Sequence, residues 1–178
     1  MKAPTDSPAP PEDPSKAADP QRLQDEADRL MGIVLPASGD AKYPAARKAA
    51  LDGWLSLFAA LYAAIDPRFD PESPPLMKVE APPVGGVKFP PGIDPSAIKD
   101  PAARAEYTQK IAENERKIRD YNLQIKLRRL EEKLRPRLRA FVDDAYPAPE
   151  DKHEVNEAIQ SHIPDATRAA ALRKLLGP

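Results

Sequence analysis

The sequence predicts an all-α fold: a bundle of about five helices with one long central helix and a long proline-rich loop. Apolar residues recur at steps of three and four over two long stretches, as they do on the buried face of a helix. Asp-Pro pairs, which favour helix starts, precede several predicted helices. Strand-like alternation is rare, so the chain offers almost no partner strands for a sheet.

Composition excludes several function classes. The chain has 178 residues, 41% of them hydrophobic and 6% aromatic, which suits one domain with an aliphatic core. Its 27 basic residues are balanced by 28 acidic ones, unlike a strongly basic nucleic-acid binder. It contains no cysteine, which excludes disulfides, thiolate metal sites and cysteine nucleophiles. No apolar run approaches the roughly 20 residues that span a bilayer, so we expect no transmembrane segment.

The first 19 residues hold five prolines and are predicted to form a disordered, proline-rich tail. They resemble the flexible tether that follows a cleaved export signal, although a plain disordered terminus is the alternative. The compartment therefore stays open between periplasmic or secreted and cytoplasmic. Residues 20–178 are predicted to form a single helical domain.

Two helices are predicted next. Asp19 and Pro20 supply a cap and a first turn, and Gly32 ends this helix. Pro44 opens the second, which closes near residue 66. Its wide apolar stripe, which we interpret as core rather than a ligand site, comprises Leu51, Trp54, Leu55, Phe58, Leu61, Tyr62 and Ile65.

Residues 67–101 contain ten prolines and three glycines and are predicted to be a long excursion, either functional or a mobile linker. A short hairpin around PPVGG is a less favoured alternative, because prolines suit only strand edges. It would use Met77, Val79, Val84, Val87 and Phe89. Asp94 and Pro95 predict a single helical turn.

The longest predicted helix covers residues 101–135, about 50 Å at 1.5 Å per residue, whereas a compact domain of this size is roughly 40 Å across. We expect it to overhang the core, bend, or pair with another long helix. One apolar face carries Tyr107, Ile111, Ile118, Tyr121 and Ile125, with Asn114 in the same stripe. The opposite face carries Leu123, Leu127, Leu130, Leu134 and Leu138. Asn114 either fixes register or partner choice, or lies at the stripe's edge. Neither stripe continues over enough heptads for a coiled coil.

Beyond Pro136, residues 137–146 either form a new helix or continue the long one past a kink. Two further helices are predicted over residues 150–162 and 166–176. Asp165 is the predicted N-cap of the last helix, and Gly177 ends it.

A basic cluster at residues 126–139 has seven basic and two acidic residues. The candidate interaction surface within it comprises Arg128, Arg129, Lys133, Arg135, Arg137 and Arg139. It could dock phosphate, an acidic protein or anionic lipid, or it could be an ordinary solvated helix face. No aromatic residue interrupts the cluster, so it lacks a stacking platform for single strands.

Catalytic motifs are missing from the sequence. The string HEVNE at residues 153–157 begins like a zinc-protease motif but has Glu157 where the second histidine is required. We therefore interpret His153 as a surface residue and His162 as the end of a helix. There is no phosphate-binding glycine loop and no nucleophile elbow. We predict no enzyme activity, no catalytic residue, no metal and no cofactor.

Residues 90–146 carry a recognisable pattern. It consists of PPG-x-x-P, then AI-x-DP, then R-x-EY, a Tyr-x-x-Gln-x-x-LRRL-E core, and a following Phe141 and Tyr146. This pattern resembles a helical module in uncharacterised, exported-looking bacterial proteins of unknown function. The resemblance implies a helical module in an exported bacterial protein and brings no activity with it.

The sequence thus predicts a non-enzymatic helical interaction or structural protein. Its partner would be another protein or a second copy, with the long helix as the surface of a homodimer. The alternative is a binder of nucleic acid or anionic surfaces through the basic cluster at residues 126–139, with nucleic acid the less favoured partner.

Overall fold

The all-α prediction is confirmed. The structure, a computed structural model, describes residues 19–177, so that all of the predicted tail except Asp19 lies outside it. The described residues form five α-helices and no strand beyond one isolated bridge. The helices are α1 (Pro20–Met31), α2 (Tyr43–Ala64), α3 (Pro101–Ala145), α4 (Lys152–His162) and α5 (Ala166–Leu176). Short 3-10 turns occur at Pro95–Ala97 and Pro149–Asp151.

The predicted caps set the helix ends. The Asp19 carboxylate accepts a hydrogen bond from the backbone N–H of Gln21 at 2.9 Å, and Asp165 accepts one from Arg168 at 2.8 Å. Gly177 ends α5 with φ 69°, a left-handed conformation that costs glycine least. These local signals are strong because each one satisfies a backbone group that the helix itself leaves unpaired.

Helix α3 passes through Pro136 and reaches 45 residues, so continuation is the correct alternative for the residues after it. A proline inside a helix costs about 3 kcal/mol, since it removes one N–H donor and crowds the preceding turn. Leu134 and Leu138 on either side are fully buried, and this burial offsets the cost. The carbonyl that loses its donor belongs to Glu132, and both Glu132 and Pro136 are exposed residues.

The described chain divides into two compact units. Unit 1 contains the described residues up to Ala64 and from Leu130 onward, and unit 2 is Ile65–Arg129. Helix α3 contributes to both, with its residues up to 129 in unit 2 and the remainder in unit 1. The prediction of a single domain over residues 20–178 stays a prediction.

Unit 2 has a small core. Ala81, Ile98 and Tyr107 form a buried cluster, and half-buried side chains such as Phe89 and Ile111 pack against them. Leu127 is the other buried apolar side chain among residues 65–129. The hairpin considered from the sequence is reduced to one bridge, in which Val84 and Val87 exchange backbone hydrogen bonds of 3.1 and 3.0 Å. Gly85 and Gly86 between them have φ 57° and 79°, as a tight turn of this type requires.

Unit 1 has the larger core. Helix α2 packs against α1 and α4, and α4 packs against α5. The predicted α2 stripe is buried from Leu51 to Leu61, while Tyr62 is half-buried. At Gly53 a Cβ atom would lie 2.7 Å from Leu30 Cδ2, so the missing side chain allows α1 to approach closely.

Arg47 joins three elements of unit 1. Its Nη1 donates to the carbonyl of Ala145, the last residue of α3, at 3.1 Å. Its Nη2 donates to Asp151 and Glu154 at 3.0 Å each, before and within the first turn of α4. The guanidinium carbon also lies 4.4 Å from the centre of the Tyr146 ring. This largely buried cation therefore complements the negative end of one helix and the acidic start of another.

Replacing Arg47 with methionine keeps an aliphatic stem but removes every donor. We expect Arg47→Met to lower the free energy of unfolding by about 2–3 kcal/mol, because it leaves the largely buried Asp151 carboxylate without its cationic partner and takes one hydrogen bond from the Ala145 carbonyl. Urea denaturation measures this. The control is Lys48→Met, which removes an exposed cation paired only with Asp52 and should cost less than about 1 kcal/mol. Equal losses in both variants would contradict the role given to Arg47.

Candidate interaction surface

The basic cluster does not form one free surface. In unit 2, Arg128 donates through Nη2 to the carbonyls of Asp66 and Phe69, at 3.2 Å each. Its guanidinium carbon also lies 5.1 Å from the centre of the Phe69 ring. Arg128 is half-buried, so its first role is to hold the chain that follows α2.

Three cluster residues in unit 1 also have partners. Arg135 Nε donates to Glu131 Oε1 at 2.6 Å, Lys133 Nζ donates to Gln24 Oε1 at 3.1 Å, and Arg139 Nε lies 3.6 Å from Asp143 Oδ2. Arg129 and Arg137 are exposed, and neither has a side-chain hydrogen bond or ion pair within residues 19–177. Four of the six predicted surface residues are thus engaged inside the chain.

Glu131, within the same stretch of sequence, is buried, with 5% of its surface exposed. Besides Arg135, it accepts a hydrogen bond from the Tyr62 hydroxyl at 3.3 Å. Burial, together with the negative charge of Glu131, raises the pKa of Tyr62 to about 12. Glu131, one of the two acidic residues in the basic cluster, is therefore part of the packing between α2 and α3 in unit 1.

A row of hydrogen-bond donors runs along α3 in unit 2. Its members, every seventh residue, are Tyr107, Asn114, Tyr121 and Arg128. Seven residues make nearly two helical turns, so the row stays on one face. Each member donates to a backbone carbonyl of residues 66–79, which we call the strap.

The donor row and the strap run in opposite directions. Arg128 contacts the carbonyls of Asp66 and Phe69 at the start of the strap, as described above. Tyr121 donates to the Pro71 carbonyl and Asn114 to the Leu76 carbonyl, both at 2.7 Å. Tyr107 donates to the Val79 carbonyl at 3.4 Å. The interaction is therefore repeated along the whole strap.

Isoleucines alternate with the donors on the same face of α3. Ile111, Ile118 and Ile125 recur every seven residues and are half-buried. Together with the donors they give the four-three spacing of a coiled-coil seam, yet every second position carries a hydrogen-bonding group. Such a face suits an irregular chain whose carbonyls can accept hydrogen bonds better than it suits the apolar face of another helix.

The sequence reasoning recognised this face but missed what covers it. It placed Tyr107, Tyr121 and the isoleucines on one buried stripe, and Tyr107 is fully buried. The sequence predicts that Asn114 either fixes register or partner choice or lies at the edge of the stripe, whereas its side-chain amide donates to the strap. The signal that could have revealed the strap is the seven-residue interval between donors in a chain with so many prolines.

The strap exposes two large apolar side chains. Leu76 is 69% exposed and Met77 is 84% exposed. Side chains of α3 fix the backbone around them through hydrogen bonds to the carbonyls of Leu76, Pro71 and Val79. The other large apolar side chains that are exposed among residues 19–177 are Met31, Ile33, Val34 and Val87.

The two histidines lie where the sequence placed them. His153 is exposed, and its Nε2 lies 3.1 Å from Glu157 Oε1. His162 is the last residue of α4, and its Nδ1 lies 2.9 Å from the Ala158 carbonyl. In the described part of the chain, no group of three or more His, Cys, Asp or Glu side chains is placed to hold a metal ion. No helix over these residues is long and apolar enough to cross a membrane.

Comparison with protein families, with curated proteins and with solved structures found no match to this chain. The resemblance of residues 90–146 to an exported bacterial module therefore stays a prediction.

Removing one donor tests the strap. We expect Asn114→Ala to lower the opening free energy of the strap by about 1 kcal/mol, because the Leu76 carbonyl loses its partner. Amide exchange of Gly92, whose N–H donates to the Val79 carbonyl, should then be about fivefold faster.

The matched control is Asn122→Ala, on an exposed residue of the same helix. Both substitutions exchange asparagine for a better helix former, so the change in helix propensity cancels. Equal exchange at Gly92 in the two variants would contradict the role given to Asn114.

Proposed function

We propose that the chain is a non-enzymatic interaction protein that docks another protein through the strap, around Leu76 and Met77. The observation that carries this proposal is the exposure of two large apolar side chains on a backbone held by hydrogen bonds from α3. Exposed apolar side chains on a fixed backbone are typical of protein docking sites rather than of surfaces that bind nothing.

The energetics favour this surface. Fully burying a leucine or methionine side chain gains about 1.5–3 kcal/mol. A partner that covers Leu76 and Met77 would pay little to order the segment, since Asn114 and Tyr121 already hold its backbone. Mobile loops lack this advantage, because ordering them offsets part of the contact energy.

Self-association through α3 is a narrower form of the proposal and receives less support. None of the large apolar side chains of α3 is among the exposed ones. Its first apolar face lies under the strap, and Leu127, Leu130, Leu134 and Leu138 on the other are buried. The strap is thus the better supported surface, whether the partner is a different protein or a second copy.

A photo-crosslinking amino acid at position 77 tests the proposal in cells that naturally contain the protein. We expect one protein to be captured repeatedly, and the same protein, once purified, to bind the purified full chain. The Leu76→Ser/Met77→Ser variant should weaken that binding at least about tenfold.

The matched control places the crosslinker at position 34, where Val34 is 90% exposed in unit 1. Val34→Ser should leave the measured affinity unchanged. If no captured protein binds the purified chain, or if the double variant binds as tightly as the wild type, the proposal fails.

A second candidate function is binding of nucleic acid or another anionic surface. The observation that favours it is the exposure of Arg129 and Arg137 without a partner among residues 19–177. Guanidinium groups that are free of intramolecular pairs can contact phosphates directly.

Labelled DNA and RNA test this second candidate by a mobility shift over a range of salt concentrations. Arg129→Gln/Arg137→Gln should weaken binding and lower the slope of log affinity against log salt by about two, one for each phosphate contact. Arg29→Gln/Lys48→Gln removes two cations that have acidic neighbours and serves as the control. Absence of binding at low salt would exclude this function.

A further inference from the structure

Two grooves flank the exposed side chains in unit 2. One, of about 340 Å³, has Leu76 and Val79 among its lining residues. The other, of about 560 Å³, is lined in part by Phe69, Pro75 and Tyr121. Lys117 lines both, so the two grooves adjoin along the line where the strap meets α3. They form one apolar seam, which we call the strap seam.

Charges along the strap seam are mainly negative. Two lysines line it, and each forms an ion pair with a glutamate four residues earlier. The Nζ atom of Lys117 lies 2.8 Å from Oε1 of Glu113, and that of Lys110 lies 2.8 Å from Oε1 of Glu106. Four other lining or adjacent carboxylates have no cationic partner within residues 19–177: Asp66, Asp70, Glu80 and Asp120. An apolar floor with an acidic rim complements an apolar face with basic flanks.

The backbone of the strap argues against an added strand. Its carbonyls at Pro71, Leu76 and Val79 already accept hydrogen bonds from α3. Prolines at positions 71, 74 and 75 have no N–H to donate. A partner therefore has to be recognised by its side chains rather than by a backbone ladder, as when a helix lies in a groove.

The size of the strap seam matches a short helix. Its lining residues on α3 extend from Lys110 to Gln124, which spans about 21 Å at 1.5 Å per residue. A partner helix of about four turns covers the same length.

We propose that the strap seam binds a basic amphipathic helix of a partner protein. This inference rests on the proposed function and deepens it by naming the kind of partner. The apolar stripe of that helix contacts Leu76, Met77 and Phe69, and its basic flanks face Asp70, Glu80 and Asp120.

Three labelled peptides of sixteen residues test the inference with the full chain by fluorescence anisotropy. The first has leucines at helical spacing and lysines elsewhere. The second replaces the lysines with glutamates, and the third keeps the Leu/Lys composition but alternates the two residues. We expect only the first peptide to bind at near-physiological salt, and to bind more weakly as salt increases.

Two variants and a control locate the binding. Leu76→Ser/Met77→Ser should weaken binding of the first peptide at least about tenfold. Glu80→Gln/Asp120→Asn, at exposed positions, should weaken it about threefold to fivefold and reduce its salt dependence. Val34→Ser, in unit 1, should have no effect, and circular dichroism verifies that each variant keeps its helix content.

Three results would overturn the inference: no binding of the first peptide, equal binding of the alternating peptide, or equal affinity for the wild type and Leu76→Ser/Met77→Ser. Failure of this inference is distinguishable from failure of the proposed function. If crosslinking at position 77 yields a partner that binds the purified chain but has no basic amphipathic helix, the partner class is wrong and the docking surface is right.

Discussion

Hydrogen bonds from side chains of α3 to carbonyls of the strap are the interaction on which unit 2 depends. A proline-rich segment satisfies only part of its own backbone, because proline has no N–H and excludes regular helix or sheet. Within the strap, two turns form backbone hydrogen bonds, from Phe69 to Asp66 and from Ser73 to Asp70. Four apolar side chains of this unit are buried, Ala81, Ile98, Tyr107 and Leu127, which is little apolar burial for more than sixty residues. The donors at Tyr107, Asn114, Tyr121 and Arg128 therefore determine where the strap lies.

The donor row of α3 also explains why this long helix needs no coiled-coil partner over unit 2. Isoleucines at alternate positions supply packing, and the donors between them would be left unpaired against the apolar face of another helix. The carbonyls of the strap accept the hydrogen bonds of these donors instead. The same hydrogen bonds fix the backbone of the strap, on which Leu76 and Met77 are exposed. A partner that covers these two side chains would therefore lose little conformational entropy in ordering the strap.

Local signals made most of the helices predictable. The caps at Asp19 and Asp165 bond to backbone groups two or three residues away, so both partners are visible in a short stretch of sequence. The apolar stripe of α2 repeats every three or four residues and is visible in the same way. The strap was not predictable in this way, because Asn114 and Leu76 are 38 residues apart and a carbonyl leaves no trace in the residue type. For the same reason, the cluster at residues 126–139 looked like one basic surface, although Arg128 and Arg135 are held by distant or buried partners.

The most direct measurement is a double-mutant cycle between Asn114 and the Leu76 carbonyl. Replacing the peptide bond between Leu76 and Met77 by an ester weakens that carbonyl as an acceptor, and no hydrogen bond of the Met77 N–H is lost within residues 19–177. The opening free energy of the strap is read from the amide exchange of Gly92, whose N–H donates to the Val79 carbonyl at the end of the strap. We predict that the ester destabilises the strap in the wild type but not in Asn114→Ala, with a coupling of about 1 kcal/mol. Additive effects of the two changes would contradict the account.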